Sequence, residues 1–158
     1  SATLARIHAP LDEFWEGHVG YVPMDMAEFV ETFSGLLAVM TDGDLLVGVD
    51  CASGRDVSFS VAYPDWAEAA RSLGGDASGW GRWMRGPLPR RVVLQTVAAV
   101  PEARRHGVVH LHIVQGLSLQ QRAGFSEATV ALVTQDFHLF DKVAPPTRRY
   151  ALYARATC

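Results

Sequence analysis

Residues Val92 to Phe125 read VVLQTVAAVPEARRHGVVHLHIVQGLSLQQRAGF. The part up to Val100 is apolar and rich in β-branched residues, which indicates a buried strand. Pro101 opens a loop with two arginines and one glycine, and a helical pattern then runs to Gly124. A helix that follows a strand through such a turn presents unpaired backbone N–H groups and the positive end of its dipole. We therefore predict an anion-binding site, for a phosphate or pyrophosphate, where the helix begins.

The composition is that of one soluble domain. The chain has 158 residues, of which 49% are hydrophobic and 20% charged, and a domain of this length buries roughly two-thirds of its unfolded surface without needing a disulfide or a metal. The net charge of −3 argues against broad nucleic-acid binding, and the apolar runs are too short to cross a bilayer. Two cysteines without a CxxC pair, and a start without the apolar core of a signal peptide, favour a cytoplasmic protein.

The segments before Val92 predict a helix, a hairpin and a second helix. Asp25 and Glu28 form a capping-box pattern, after which apolar residues recur at helical spacing for about three turns. Strands at residues 45–50 and 56–63 are separated by a short turn, which indicates a β-hairpin. The segment PDWAEAARSL (residues 64–73) has Pro at a first helical position and is followed by two glycines, so it predicts a helix.

The rest of the chain is predicted to continue this series of helices and strands. Residues 74–90 are rich in Gly, Pro, Trp and Arg and predict a long connection with one short helix at Trp80–Met84. The later predicted elements are the strand Arg91–Val100, the helix Gly107–Ala123, a strand at residues 126–134, a helix from Asp136 to about Val143 and a last strand at residues 148–156. The strand at residues 126–134 is apolar on both faces, which is typical of a central strand.

The central segment TVAAVPEARRHGVVHLHIVQGL (residues 96–117) resembles the acetyl-CoA-binding segment of the GNAT superfamily of N-acetyltransferases. In that superfamily a strand ending V-x-P-E-x-R is followed by a Gln/Arg-x-x-Gly-x-Gly/Ala loop and a helix. Four further blocks resemble, in order, successive parts of a bacterial GNAT subgroup in which this fold is the C-terminal part of a longer chain; they are GHVGYVPMDMAEFVETF, VSFSVAYPDWAEA, RAGFSEATVALVTQDFHLFDK and RRYALYARA. The resemblance extends from about Phe14 onward, and it depends on the order of the blocks more than on any one of them.

The resemblance implies an α/β fold with a mixed, mostly antiparallel central sheet flanked by helices, in one domain at residues 1–158. It also implies acetyl-CoA or another acyl-CoA as cofactor and a small-molecule amine as acceptor, which would attack the acyl group directly in a ternary complex. A homodimer or an N-terminal partner domain is compatible with it, and no apolar stripe in the sequence marks a dimer surface. The opening serine is compatible with a chain excised from a longer protein.

Carried over residue by residue, the resemblance places the cofactor on the loop and on the end of the preceding strand. The loop amides that would cradle the CoA pyrophosphate belong to Arg104, Arg105, His106, Gly107, Val108 and Val109. The strand end, Ala98, Ala99 and Val100, would bind the pantetheine arm through its backbone. The two arginines would add charge-assisted contacts to the phosphates.

Four positions depart from the superfamily pattern. Val109 stands where Gly or Ala is usual, Asp136 where Asn is usual, Phe140 near the position of a general-acid Tyr, and Gln95 where some members have a catalytic Glu. These departures leave two alternatives open: a binding or assembly domain that has lost the chemistry, and a GNAT fold recruited to another biosynthetic reaction such as a decarboxylation or cyclisation.

Some further side chains are candidates for catalysis or acceptor binding. His138 could act as acid or base at neutral pH, although it also fits an exposed polar residue on a short helix. Trp80, Arg82 and Trp83 could wall an acceptor pocket, or they could form a satellite hydrophobic cluster that pins a long loop. A metal site is not predicted, because the histidines at positions 106, 110 and 112 have no carboxylate or cysteine at ligand spacing.

Overall fold

The computed structural model describes residues 2–15, 21–37, 39–41, 43–131, 133, 138–140 and 145–150. The helices are α1 (Ala2–His8), α2 (Leu11–Trp15), α3 (Met26–Leu37), α4 (Ala67–Leu73), α5 (Trp80–Met84), α6 (Pro101–Arg105) and α7 (Val108–Arg122). The strands are β1 (Leu45–Val49), β2 (Asp56–Pro64), β3 (Arg91–Ala99) and β4 (Glu127–Val130), and short 3₁₀ turns lie at Ala77–Gly79 and His138–Phe140.

The four strands form one mixed sheet in the order β1-β2-β3-β4. β1 and β2 are antiparallel neighbours, as are β2 and β3, and β4 runs parallel to β3. Sheets of this kind need a crossover only where parallel strands meet, and α7 supplies that crossover between β3 and β4. The predicted fold class, a mixed and mostly antiparallel sheet flanked by helices, is confirmed.

Alternation along β2 places helices on both faces of the sheet. Phe59 directs its ring to one face, where it packs on Phe14 of α2 with ring centroids 5.4 Å apart. Ser58 and Ser60, the neighbours of Phe59, point to the other face and bond to His112 of α7. The period of two in a strand thus separates an aromatic layer under α1–α3 from a layer under α7.

Two hydrophobic clusters make up the described core. The larger cluster joins the N-terminal helices to β2 and the end of β3, with Leu4, Ile7, Phe14, Phe29, Phe59, Ala98, Ala99, Val100 and Ala103 buried in it. The smaller one joins the first half of β3 to α7, with Ala62, Val92, Leu94, Ile113 and Phe125. The first cluster therefore covers the region where β3 ends and the Arg-rich loop begins.

The elements predicted around the central stretch are confirmed within a residue or two. The Glu28 amide donates to Asp25 Oδ1 at 2.9 Å, so the predicted cap of α3 is present. The hairpin, α5, β3 and α7 lie where the sequence predicts them. The prediction of Pro64 as a first helical residue is wrong, because Pro64 ends β2 opposite Val92 and α4 begins only at Ala67. Three helices were not predicted, namely α1 and α2 in the N-terminal segment and α6, which occupies the start of the predicted loop.

The prediction of a central strand at residues 126–134 is wrong for the described part of the chain. β4 covers only Glu127–Val130, borders the described sheet, and has all four residues exposed. An apolar pattern on both faces shows that a strand can be buried, but its neighbours decide whether it is.

Of the predicted helix from Asp136 to Val143, the structure describes only the 3₁₀ turn His138–Phe140. In the predicted last strand, residues 148–150 carry no strand, and residues 151–156 lie outside the described residues.

An exposed apolar stripe, absent from the sequence-based expectations, runs along α7. Leu111 and Val114 are 65% and 68% exposed, and Leu117, the next residue at this spacing, is 39% exposed. The opposite side of α7 buries His112 and Gln120 instead. Because both faces of α7 contain apolar residues, the sequence pattern could not tell which one meets the sheet.

A buried carboxylate fixes the start of β1 to α7. Asp44, only 1% exposed, accepts hydrogen bonds from the amide and hydroxyl of Thr41 and, at 2.7 Å, from Gln120 Nε2. Its own carbonyl accepts from the Ala62 amide at 2.6 Å. One residue therefore joins a turn, a strand and the C-terminal half of α7.

We predict that Asp44→Ala lowers the free energy of unfolding by about 2–4 kcal/mol, since it leaves buried donors on Thr41 and Gln120 without an acceptor. Urea unfolding followed by circular dichroism measures this change. Asp50→Ala is the matched control, because Asp50 caps the exposed turn at the other end of β1. Equal losses in the two variants would contradict the role assigned to the buried carboxylate.

Candidate functional site

The candidate site begins where β3 loses its second neighbour. β3 pairs with β4 only from Arg91 to Leu94, and the Ala131 amide adds a bond to the Leu94 carbonyl at 3.1 Å. On its other edge β3 stays paired with β2 as far as Ala99. Within the described residues, the edge of β3 from Gln95 to Ala99 thus lacks a neighbouring strand.

A bulge marks the point where the two strands separate. Val61 of β2 faces Thr96, whereas the next residue, Ala62, faces Leu94, so Gln95 is an extra residue in β3. Such a bulge bends the strand and increases its twist, which moves its second half away from β4. The separation of β3 and β4 therefore starts at Gln95.

The hydrogen bonds show which backbone groups of β3 face the open edge. The Val100 amide donates to the Val57 carbonyl of β2 at 2.9 Å. Because successive residues of a strand direct their backbone groups to opposite edges, Ala98 also faces β2, whereas Val97 and Ala99 face away from it. Val97 is half-buried, whereas Ala99 is fully buried, so the main-chain groups that an extended ligand could reach on this edge are those of Val97.

The loop after β3 leads directly into α7. α6 is a single turn that begins at Pro101, and Gly107 then adopts a left-handed conformation with φ of +76°. A side chain would strain this conformation, although the space around the position is open. The Leu111 amide makes the first helical bond, to the Gly107 carbonyl. The amides at positions 108–110 donate to no carbonyl within the described residues, as expected at a helix start.

Arg104 is committed to the protein backbone. Its Nε donates to the Ala99 carbonyl at 2.6 Å, and its Nη2 donates to the Phe14 carbonyl at 3.2 Å. The first bond closes the loop onto the end of β3, and the second reaches the last turn of α2, where carbonyls lack helical partners. The side chain therefore holds the loop in place, and, because Arg104 is also exposed, the predicted contact between its guanidinium and a phosphate stays a prediction.

Arg105 and His106 are exposed beside the loop, and Arg105 has no hydrogen-bond or ion-pair partner among the described residues. A free guanidinium next to a helix start adds positive charge where anions already bind favourably. Arg105 thus differs from Arg104, which bonds to two backbone carbonyls.

The side chains of Val108 and Val109 are half-buried against the core. Both side chains pack against the larger cluster, and Val109 also packs against the smaller one. The Val109 side chain is thus engaged in the core, so a β-branched residue at this position is compatible with an open loop surface. The sequence departure at Val109 has a packing explanation.

One pair at the bulge was not predicted. The Tyr63 hydroxyl donates to Gln95 Oε1 at 2.7 Å, next to the separation of β3 and β4. Gln95, which the sequence marks as a departure from the superfamily pattern, is a strand residue with a polar partner. The partner itself could not be found from the sequence, because the pairing depends on the register between β2 and β3.

The remaining candidate side chains lie on other elements. Arg82 and Trp83 are exposed on α5, and Trp80 at its start is half-buried. α5 packs mainly on α4 and on the turn Ala77–Gly79. His138 begins the 3₁₀ turn whose Leu139 and Phe140 pack against the smaller cluster. Their roles in acceptor binding and catalysis stay predictions, and Asp136 lies outside the described residues.

The three histidines around α7 are in different environments. His106 and His110 are exposed, whereas His112 is buried between two serines. In the described part of the chain no three His, Cys, Asp or Glu side chains are grouped as metal ligands would be. None of the described helices has the length and hydropathy of a membrane-spanning segment.

Comparison with solved structures identifies the fold. The aminoglycoside acetyltransferase AAC(6')-Iy, crystallised with a CoA-linked bisubstrate analogue, matches with a TM-score of 0.57 and 17% identity, over 99% of this chain and 94% of that one. AAC(6')-IG from Acinetobacter haemolyticus matches with a TM-score of 0.52 and 13% identity, over 95% and 94% of the two chains. A Trypanosoma brucei acetyltransferase gives 0.52 and 13%, over 98% and 94%. No protein-family model matches the sequence, and no curated protein matches it significantly. The chain therefore has the GNAT acetyltransferase fold, as its sequence resemblance indicates.

Arg104 and Arg105 provide a matched test of the hydrogen bonds between Arg104 and the backbone. We predict that Arg104→Gln lowers the free energy of unfolding by about 1–3 kcal/mol, because two backbone carbonyls lose a charged donor, whereas Arg105→Gln leaves it unchanged within error. Chemical denaturation of the two variants and the parent chain measures both effects. A stability loss for Arg105→Gln as large as that for Arg104→Gln would overturn the assignment.

Proposed function

We propose that this chain binds CoA or an acyl-CoA along Ala98–Val109 and transfers the acyl group to an amine of a small molecule. The observation that carries the proposal is the open edge of β3 from Gln95 to Ala99, which ends beside the start of α7. CoA has the matching form, an extended arm with amide groups attached to a pyrophosphate. A GNAT fold shared with an acetyltransferase crystallised with CoA supports the same ligand.

The open edge supplies the groups that the pantetheine arm would need. The N–H and C=O of Val97 face away from β2 on a half-buried residue, so they can pair with the amides of an extended ligand. The N–H of Ala99 faces the same edge but belongs to a fully buried residue. The Ala99 carbonyl already accepts from Arg104. The proposed contacts therefore centre on Val97, with Ala98 and Val100 directed to β2.

The start of α7 would hold the pyrophosphate. The free amides at positions 108–110 and the helix dipole attract an anion, and Gly107 lets the chain turn into the helix without a side chain on the outside of the loop. The exposed Arg105 adds a mobile positive charge. These groups fit a diphosphate without help from the side chain of Arg104.

An acyl thioester supplies an electrophilic carbonyl and a thiolate leaving group, which can depart without prior protonation because a thiol, with a pKa near 8.5, is acidic enough for its anion to be stable. The amine nucleophile must lose a proton, and at neutral pH a histidine can take it. His138 is the proposed base, because it is a candidate acid or base near the position where the superfamily's general-acid Tyr is missing. Backbone N–H groups on the open edge, Val97 foremost, would orient and polarise the thioester carbonyl.

The proposed acceptor is a small polar molecule with an amine. The solved AAC(6')-Iy structure contains a bisubstrate analogue in which CoA is linked to an acetylneamine, so this fold brings CoA and an aminoglycoside-type amine together in that protein. We extend the class of acceptor, an amine on a small molecule, to this chain. Trp80, Arg82 and Trp83 remain the proposed wall of the acceptor pocket.

A second candidate function is a CoA-binding domain without transferase activity. Gln95 favours it, because its amide lies at the bulge, is held by the Tyr63 hydroxyl and cannot accept a proton as a carboxylate would. The same binding site serves both candidates, and only the chemical step separates them.

We predict that CoA binding weakens about five- to tenfold in Arg105→Gln at low salt, from loss of one partly screened charge-assisted contact. Gly107→Val should weaken it further, because the left-handed turn becomes strained. Titration calorimetry with CoA measures both, and Arg71→Gln, an exposed arginine on α4, is the control for net charge. Absence of heat from the parent chain at millimolar CoA would refute the binding proposal.

We predict that the parent chain releases free CoA thiol from acetyl-CoA when an accepted amine is added, and that His138→Ala lowers kcat by about 10²- to 10⁴-fold with CoA affinity unchanged. A thiol-detecting assay over a panel of aminoglycosides and simple polyamines measures this release. CoA binding without thiol release from any amine would support the second candidate instead. Full activity in His138→Ala would remove His138 from the mechanism.

A further inference from the structure

A buried polar cluster lies beneath α7, outside the proposed cofactor site. His112 is 6% exposed, and its Nε2 lies 2.7 Å from Ser58 Oγ while its Nδ1 lies 3.0 Å from Ser60 Oγ. Both serines are on β2 and are themselves buried. Both ring nitrogens of one histidine are therefore bonded to a single strand.

The packing of β1 makes room for this cluster. Gly48 of β1 faces Ser58, and a Cβ at Gly48 would overlap Ser58 Oγ and lie 3.1 Å from His112 Nε2. Any side chain at this position would displace the serine from the imidazole. β1 thus leaves space at Gly48 for the two hydrogen bonds that join the serines of β2 to His112 of α7.

The two bonds fit a neutral imidazole. A neutral ring has one N–H donor and one acceptor nitrogen, and a hydroxyl can meet either of them. A protonated ring would carry a positive charge into this buried position, where neither serine can neutralise it. Burial accordingly lowers the pKa of His112.

In the described elements that pack on His112, no charged group is placed to stabilise a protonated imidazole. β1 has no titratable side chain, and those of β2 and β3 are occupied elsewhere: Asp56 pairs with Arg6, Tyr63 bonds to Gln95, and Arg91 pairs with Asp65 and Glu127. Asp44 accepts from Thr41 and Gln120, two turns further along α7. On α7 itself, His110 is exposed and Arg122 bonds to the Ser118 carbonyl.

We propose that His112 is a positioning residue that fastens the first turns of α7 to β2 through Ser58 and Ser60, and that the fastening fails when the ring is protonated. His112 lies five residues after Gly107, so the element it holds is the one that presents the amides at positions 108–110. The consequence for CoA affinity rests on the proposed function, whereas the fastening itself does not. Acid would thus loosen the anion-binding end of α7 without any change in the site's own residues.

The direction of the pH effect follows from the lowered pKa. Above about pH 6.5, the ordinary pKa of histidine, the ring is neutral in both the folded and the unfolded chain and has no pH-dependent effect. Below that value the unfolded chain takes up a proton that the folded chain does not. The folding equilibrium constant should then fall by up to about tenfold per pH unit from this group, until the pKa of the folded state is reached.

The first experiment needs no ligand. Urea unfolding between pH 5 and pH 8 is compared for the parent chain, His112→Gln and the control His110→Gln, which removes an exposed histidine from the same helix. A glutamine amide can donate and accept but does not titrate, so His112→Gln should lose the acid-dependent part of the profile and His110→Gln should keep it. Nitrogen-15 NMR of the imidazoles should show that the ring at position 112 takes up its proton at a lower pH than an ordinary histidine. Parallel profiles for the parent chain and His112→Gln, or a ring at position 112 that titrates normally, would overturn the proposal.

The second experiment measures CoA affinity at pH 7.5 and pH 5.5. The parent chain should lose more CoA affinity between pH 7.5 and pH 5.5 than His112→Gln does. Because the phosphates of CoA titrate equally in both measurements, their contribution cancels when the two losses are compared. Ser58→Ala provides a second variant should His112→Gln fold poorly; it should weaken CoA binding at pH 7.5 with the contact residues intact. If the parent chain does not bind CoA even at pH 7.5, the proposed function fails while the stability profiles still decide the role of His112. Equal acid losses in the parent chain and in His112→Gln would contradict the positioning role.

Discussion

A central β-strand must satisfy hydrogen-bonding groups on two edges, and β3 does so completely on only one of them in the described part of the chain. Its edge toward β2 is paired along its length, while its edge toward β4 is paired only as far as Leu94. The bulge at Gln95 is the local cause, because an extra residue turns the second half of the strand away. The backbone groups left open on β3 are the feature around which the proposed site is built.

Rigid support on both faces of the sheet makes such an open edge tolerable. The N-terminal helices cover the end of β3 with the larger hydrophobic cluster, and Arg104 ties that end to the backbone of α2. On the other face α7 is fixed at two levels by buried polar contacts, His112 with two serines near its start and Gln120 with Asp44 near its end. The position of α7 on the sheet thus depends on specific buried hydrogen bonds as well as on the burial of apolar side chains.

The site separates structural from ligand-facing roles within a few residues. Arg104 and Val109 hold the loop and the helix through a guanidinium and a buried side chain, whereas Arg105 and the amides at the start of α7 remain open to a ligand. The two adjacent arginines therefore have different surroundings, since Arg104 bonds to backbone carbonyls and Arg105 has no hydrogen-bond partner among the described residues. Only contacts with α2, which is distant in sequence, distinguish them.

The sequence by itself determined the strand, loop and helix at Val92–Phe125, the hairpin before them and the cap of α3, because these depend on local periodicity, Gly and Pro placement and short-range hydrogen bonds. It also predicted the fold class and an anion site at the start of α7. The tertiary structure alone decided which face of α7 is buried, since the helix turns the polar His112 inward and leaves Leu111 and Val114 exposed. It likewise decided that β4 is exposed, that Gln95 meets Tyr63 and that Arg104 binds backbone carbonyls. Each of these depends on residues brought together from distant parts of the chain, and a local sequence pattern does not identify such partners.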